Sequence, residues 1–136
     1  MNRILMMVAV GLLAGCQSGT TDKDISGSIS DPKLRAQLSE DYQQRQVAMA
    51  AMRAHCMSQW RGDPSMIAYC EETQTPVVRR YVSNQVRYKH LNKNGLFAKE
   101  YRAHTACRAA HPGDFEMAQA CVENDTAVRR LTALQR

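Results

Sequence analysis

The chain has 136 residues, 18 Lys+Arg against 13 Asp+Glu, and five cysteines. Its one long apolar run, Ile4 to Leu13, is too short for a transmembrane helix, which needs roughly 20 apolar residues, and the rest of the chain suffices for one small domain. The net charge of +5, one unit of it from Arg3, favours acidic partners without choosing among phosphate, lipid headgroup and anionic polysaccharide.

Met1 to Gly15 has the charged, apolar and small-residue layout of an export signal, with Arg3 as its charge and Ala14-Gly15 before the cut. Leu13-Ala14-Gly15-Cys16 resembles the lipobox of bacterial lipoprotein signals, a likeness confined to the first sixteen residues. The resemblance implies that the Cys16 thiol is alkylated by a diacylglyceryl group, that cleavage falls before it, and that the new amine is acylated. One acyl chain binds a membrane only marginally, whereas two or three at ~0.8 kcal/mol per buried CH₂ hold firmly. In the family's sorting pattern an aspartate after the cysteine retains the protein in the inner membrane. Gln17 therefore implies passage to the outer membrane, and a lipid-anchored place in the cell envelope facing the periplasm. An ordinary secretory signal ending near a cysteine is the alternative.

Residues 16–30 are then the lipidated cysteine and a flexible tether. Gln17 to Ser30 is small and polar, with too little apolar surface to offset the entropy of ordering it. As a flexible coil it reaches on the order of 20 Å.

Residues 31–136 predict an all-α domain. Asp31-Pro32 supplies an N-cap and a first-turn proline, and Leu38, Tyr42, Arg45, Met49, Met52 and Cys56 recur at alternating steps of four and three, one helical stripe with Arg45 out of character. Gly62 suits a left-handed helix terminus. Asp63-Pro64 then starts a helix that presents Met66, Cys70, Thr73 and Val77 on one face. Pro76 either kinks that helix or opens a new one.

With Cys16 assigned to lipid, four cysteines remain, and Cys56–Cys70 and Cys107–Cys121 have the same separation of 14. A shift of 51 positions, Cys56 onto Cys107, also superposes Gly62 on Gly113, Asp63 on Asp114, Met66 on Met117, Glu72 on Glu123 and Arg79 on Arg130. This is an internal duplication, with units of about 31–92 and 95–136, the second turning at His111-Pro112-Gly113-Asp114 and returning on Met117, Cys121, Val128 and Leu131. Each unit reads as a helical hairpin in which the cysteines reach equal heights above the turn. Disulfides Cys56–Cys70 and Cys107–Cys121 are expected in an oxidising compartment, although four cysteines allow three connectivities.

The cysteines lack the paired spacing of a zinc site and the Cys-x-x-Cys of a thiol oxidoreductase. His55, His90, His104 and His111 share no metal-ligand spacing, so no metal or cofactor is expected and solvated or capping histidines are. Arg61-Gly62-Asp63 matches an integrin-binding tripeptide, but its duplicate is Pro112-Gly113-Asp114, which assigns Gly-Asp to turn chemistry. The units resemble cysteine-paired helical hairpins of uncharacterised proteobacterial envelope proteins, through Trp60, Asp63 and Met66 in the first and Asp114, Phe115 and Met117 in the second, where His111 stands near the aromatic's place. That resemblance implies a scaffold and no activity.

Between the hairpins Arg79, Arg80, Arg87, Lys89, Lys93, Lys99 and Arg102 are interleaved with Tyr81, Tyr88, Phe97 and Tyr101. Such a segment attracts anions while its aromatics stack on bases or sit among headgroups. The alternative is that the aromatics pack inward and the charges solvate a helix pair linked at Asn92-Lys93-Asn94-Gly95. No nucleophile with an oriented base, carboxylate pair or phosphate-cradling loop emerges. The expectation is a non-enzymatic envelope lipoprotein, a helical scaffold or interaction module for another envelope protein. Binding of anionic polymers or headgroups through 79–102 is the second reading, and inhibition of a periplasmic or host enzyme the third.

Overall fold

A computed structural model describes residues 23–91, 95 and 97–134, with side-chain surroundings through residue 125. The expected signal peptide, Cys16, the first part of the tether, Lys93 and the side chains of Val128 and Leu131 lie outside the described residues. Four helices run in order, α1 (Pro32–Gln59), α2 (Pro64–Leu91), α3 (Ala98–Ala110) and α4 (Phe115–Leu134), and no strand occurs among the described residues. The expected tandem of stapled hairpins forms. Cys56–Cys70 and Cys107–Cys121 are both bonded, each with Cα atoms 5.7 Å apart.

The duplication holds at the level of single backbone hydrogen bonds. In the first turn Trp60 N–H donates to Cys56 O (3.0 Å), Asp63 N–H to Trp60 O (3.0 Å) and Ile67 N–H to Asp63 O (3.0 Å). The second turn repeats them as His111 to Cys107 (3.1 Å), Asp114 to His111 (3.3 Å) and Ala118 to Asp114 (3.0 Å). Asp63 and Asp114 each accept the N–H three residues on, from Met66 and Met117, at 3.1 Å. Gly62 and Gly113 sit at φ +88° and +82°, the left-handed region that side chains with a Cβ enter at a cost. At the start of α1, Asp31 Oδ1 accepts from Lys33 N–H (2.8 Å) and Leu34 N–H (3.3 Å), as an N-cap should.

The described end of the predicted tether is not free coil. Asp24 Oδ1 accepts from Ser26 N–H at 2.9 Å and nucleates a 3-10 turn over Ser26–Ser28. Ser26 is buried, and Arg35 Nε of α1 donates to Ile29 O at 2.8 Å. Short polar side chains that bond their own backbone supply the order that apolar content does not.

The buried helix faces keep Met52, Cys56 and Cys70 from the expected stripes, but their other positions shift to neighbouring residues. In α1 the buried positions are Asp41, Ala48, Met52 and Cys56, while Tyr42 and Met49 are half-buried. In α2 they are Cys70, Gln74, Val78, Tyr81, Val82 and Val86, with Thr73 and Val77 half-buried. In α4 Phe115, Ala118 and Val122 turn inward, and Met117 is half exposed. Polar residues with distant partners account for the first two shifts. Asp41 pairs with Arg45 (Oδ2–Nη2 3.0 Å) and accepts from Ser83 Oγ (2.9 Å), which also explains the arginine on an otherwise apolar stripe. Helix α2 continues unbroken past Pro76, whose exposed ring faces solvent.

Helix α2 is the central element, packed against the other three. Fully buried Met52, Cys56, Val78, Tyr81, Val82 and Phe115 form the middle of the core, with the Tyr81 and Phe115 rings edge to face at 5.5 Å. Buried Gln74 joins the units: its Oε1 accepts Phe115 N–H at 2.9 Å, a first-turn donor that α4 cannot satisfy internally. Gln74→Leu should cost about 1–3 kcal/mol, the usual penalty for a buried donor left without a partner. Urea denaturation would show it as a lowered midpoint at unchanged slope.

Candidate functional site

Helices α1 and α3 both lie on α2 and scarcely meet each other. They leave a groove with α2 as its floor. One end is a cleft of about 90 Å³ between Glu40 and Gln44 of α1 and Tyr101 of α3, over Gln85, Val86 and Lys89. The other is a larger, mainly apolar recess of about 340 Å³ lined by Ala51, Thr105, Ala109, Pro112, Gly113 and Phe115 together with Gln85 and Arg108. Gln85 lines both.

The groove is held open by polar bridges between helices. At the cleft end Glu40 takes Lys89 Nζ on one carboxylate oxygen and His90 Nε2 on the other, the latter at 2.9 Å. Burial pushes the Glu40 carboxyl up, but these two partners outweigh it and hold its pKa below the usual value, while the same carboxylate raises that of Lys89. Midway, half-buried Arg108 reaches from α3 across to both other helices, donating from Nη1 to Gln85 Oε1 (3.1 Å) and Gln44 Oε1 (3.4 Å). Among the described residues no carboxylate pairs with it. Burial pulls its pKa down, yet guanidinium stays charged in proteins.

Of the seven basic residues singled out by sequence, Arg80, Arg87, Lys99 and Arg102 are exposed on α2 and α3, Arg79 is half-buried and engaged, and Lys89 is committed to Glu40. Of the interleaved aromatics, Tyr81, Tyr88 and Phe97 pack between helices, and Tyr101 lines the cleft. Tyr81 is fully buried, donates its hydroxyl to His104 O, and has its pKa pushed up to about 12 by burial. Tyr88 stacks on Phe97 at 5.6 Å and meets the His104 ring at 5.3 Å. Their rings fill the α2–α3 contact, so no row of exposed stacking surfaces accompanies the charges.

The histidines also differ from expectation, since His104 is neither solvated nor a cap. It is 4% exposed, tilted against Tyr81 at 5.0 Å, with Nδ1 2.8 Å from Glu100 O. Burial lowers its pKa below the usual 6.5. The unfolded chain therefore takes up this proton first as pH falls, so stability should decline from about pH 6.5 downward. Glu40, depressed below 4.5, adds a second loss as pH falls through its folded value. Lys89, raised above 10.5, contributes stability that disappears as pH rises through its own. Thermal midpoints measured from pH 4 to 11 should form a plateau between roughly 6.5 and 10.5. A flat profile from pH 7 to 5 would contradict a buried neutral His104.

Among the described residues no group of three or more His, Cys, Asp or Glu side chains could hold a metal ion, and no helix is long and apolar enough to cross a membrane. Sequence reasoning missed Arg108, Gln44 and Gln85. One mark of Arg108 was available, because its counterpart in the first unit is Met57, a charge where the duplicate has an apolar side chain. No protein-family model, curated protein or solved structure matches the chain.

Proposed function

We propose that the chain is a cell-envelope lipoprotein, anchored through Cys16 at the periplasmic face of the outer membrane, whose helical domain is a non-enzymatic docking module for another envelope protein. The observation that supports docking is the groove between α1 and α3, a concave strip with a polar cleft at one end and a mainly apolar recess at the other, a combination common in recognition sites. Support for the anchor is the Leu13-Ala14-Gly15-Cys16 motif. A photoreactive residue placed at Ala109 on α3 or at Ala51 on α1, both exposed on the groove wall, tests the reading in cells. One discrete adduct is expected from both positions, and none from Tyr69, which is exposed on α2 but lines no part of the groove. Equal labelling from Tyr69, or no adduct from the groove, refutes it.

The exposed Arg80, Arg87, Lys99 and Arg102 favour a second reading, attraction to anionic polymer or headgroups by charge alone. Binding of the chain to heparin or to phosphatidylglycerol vesicles would then collapse as salt rises and on Arg87→Glu with Lys99→Glu. Docking in the groove would survive both.

A further inference from the structure

Arg108 in the groove is a cation that no carboxylate among the described residues pairs with. We propose that the Arg108 recess binds a polypeptide segment carrying a carboxylate beside an apolar side chain, an inference that rests on reading the groove as a docking face. Arg108 is half withdrawn from water, and its described partners are two neutral amide oxygens, on Gln85 and Gln44. Placing a charge in such surroundings is unfavourable unless it is paired. The acid of the neighbouring cleft, Glu40, is already held by Lys89 and His90 on α2, so it does not serve as the missing partner.

The orientation of the site is fixed by its own bonds. Gln85 Nε2 donates to Thr105 Oγ1 at 3.3 Å, and Thr105 Oγ1 donates in turn to Tyr101 O at 2.9 Å. This leaves Gln85 Oε1 turned to Nη1 of Arg108, steadying a planar fork of donors that matches the two oxygens of a carboxylate. Phe115 backs the guanidinium, with its ring centroid 5.8 Å from the Arg108 central carbon. The recess as a whole has about 340 Å³, and its apolar side, bounded by Ala51, Ala109 and Pro112, lies beside the guanidinium, room for one branched or aromatic side chain. The excess of 18 basic over 13 acidic residues steers acidic segments toward it. A carboxylate next to an apolar side chain satisfies the charge and the recess together. It occurs either at a chain terminus or as an aspartate or glutamate with an apolar neighbour.

The test uses the disulfide-intact full chain in detergent micelles and nuclear magnetic resonance titrations with four probes: N-acetyl-leucine, its uncharged analogue N-acetyl-leucinamide, the amidated dipeptide N-acetyl-leucyl-glutamate, whose one acid is a side chain, and hexanoate, a carboxylate with an apolar chain and no peptide group. At least one acid probe should shift the amide signals of Arg108, Ala109 and Gly113 saturably, at least tenfold more tightly than N-acetyl-leucinamide. Binding of N-acetyl-leucine alone assigns a chain terminus, and binding of the dipeptide assigns an internal acid. Arg108→Gln should abolish the response. Ala109→Trp, which fills the recess at an exposed position and leaves the guanidinium in place, should abolish it independently. Equal binding of acid and amide, no binding of either acid, or persistence in either variant overturns the proposal. Hexanoate binding tenfold tighter than both peptides overturns its polypeptide source. If the acids fail while the adduct from Ala109 persists, the docking face stands and the Arg108 assignment falls. If the acids bind and no adduct forms, the docking reading and the polypeptide source fall together.

Discussion

Gly113→Ala should destabilise the fold by roughly 2–5 kcal/mol, whereas Gly62→Ala, its counterpart in the duplicate, should cost only about 1–2 kcal/mol. The two glycines share a left-handed backbone, φ +82° and +88°, so the conformational part of the penalty is common to both. Their surroundings differ. A Cβ on Gly62 meets nothing within 4 Å, while one on Gly113 would stand 2.6 Å from Ala51 O and 2.7 Å from His55 Cβ. The second turn is pressed against the backbone of α1, which cannot yield as a side-chain tip would. His55 Nε2 and Asp114 Oδ2 lie 3.7 Å apart at the same junction. Urea denaturation of both variants gives the comparison, and equal losses would show that the α1 contact does not constrain the turn.

The second large effect is expected from the disulfides. Each closes a separation of 14 residues, and in the entropic model a loop of this size contributes about 3 kcal/mol. Removing one pair, by Cys56→Ala with Cys70→Ala, should lower the thermal midpoint by roughly 10–20 °C for a domain of this size. Loss of both pairs would cancel about 6 kcal/mol of a stability that for most domains is only 5–15. Circular dichroism at 222 nm during titration with a reductant should therefore show loss of helix at room temperature. A fully reduced chain that keeps its helicity and melting point would remove the staples from any account of stability.

The features legible in sequence were those whose causes are local. Asp31, Gly62, Asp63, Gly113 and Asp114 act on backbone groups within a few residues of themselves, and the duplication displayed the turn twice. Cysteine spacing foretold the pairing because an antiparallel hairpin sets both heights from one turn. The helix faces were displaced in part, keeping Met52, Cys56 and Cys70, because an apolar pattern passes over Asp41 and Gln74, which are buried for the sake of Ser83 and of the Phe115 backbone, 42 and 41 positions away. The groove was illegible for the same reason. It exists because α1 and α3 leave a gap over α2, and Gln44, Gln85 and Arg108 acquire meaning only when that gap brings them together. In the basic segment the charges were read correctly as charges, but the direction of Tyr81 and Tyr88 depends on His104 and Phe97 across the linker.

Both staples lie at one end of the bundle, next to the turns at Gly62 and Gly113. The far end, where α1 begins and α2 stops, is tied by Glu40 to Lys89 and His90, contacts that weaken with acid and, being partly exposed, with salt. The molecule should therefore breathe like a clothes peg, hinged at the sulfurs and parting at the tips. Hydrogen exchange would register this as amides near Glu40 and Lys89 opening at lower free energy than those near Cys56 and Val78. The cleft end of the groove would then be the adjustable jaw, and the Arg108 recess the fixed one.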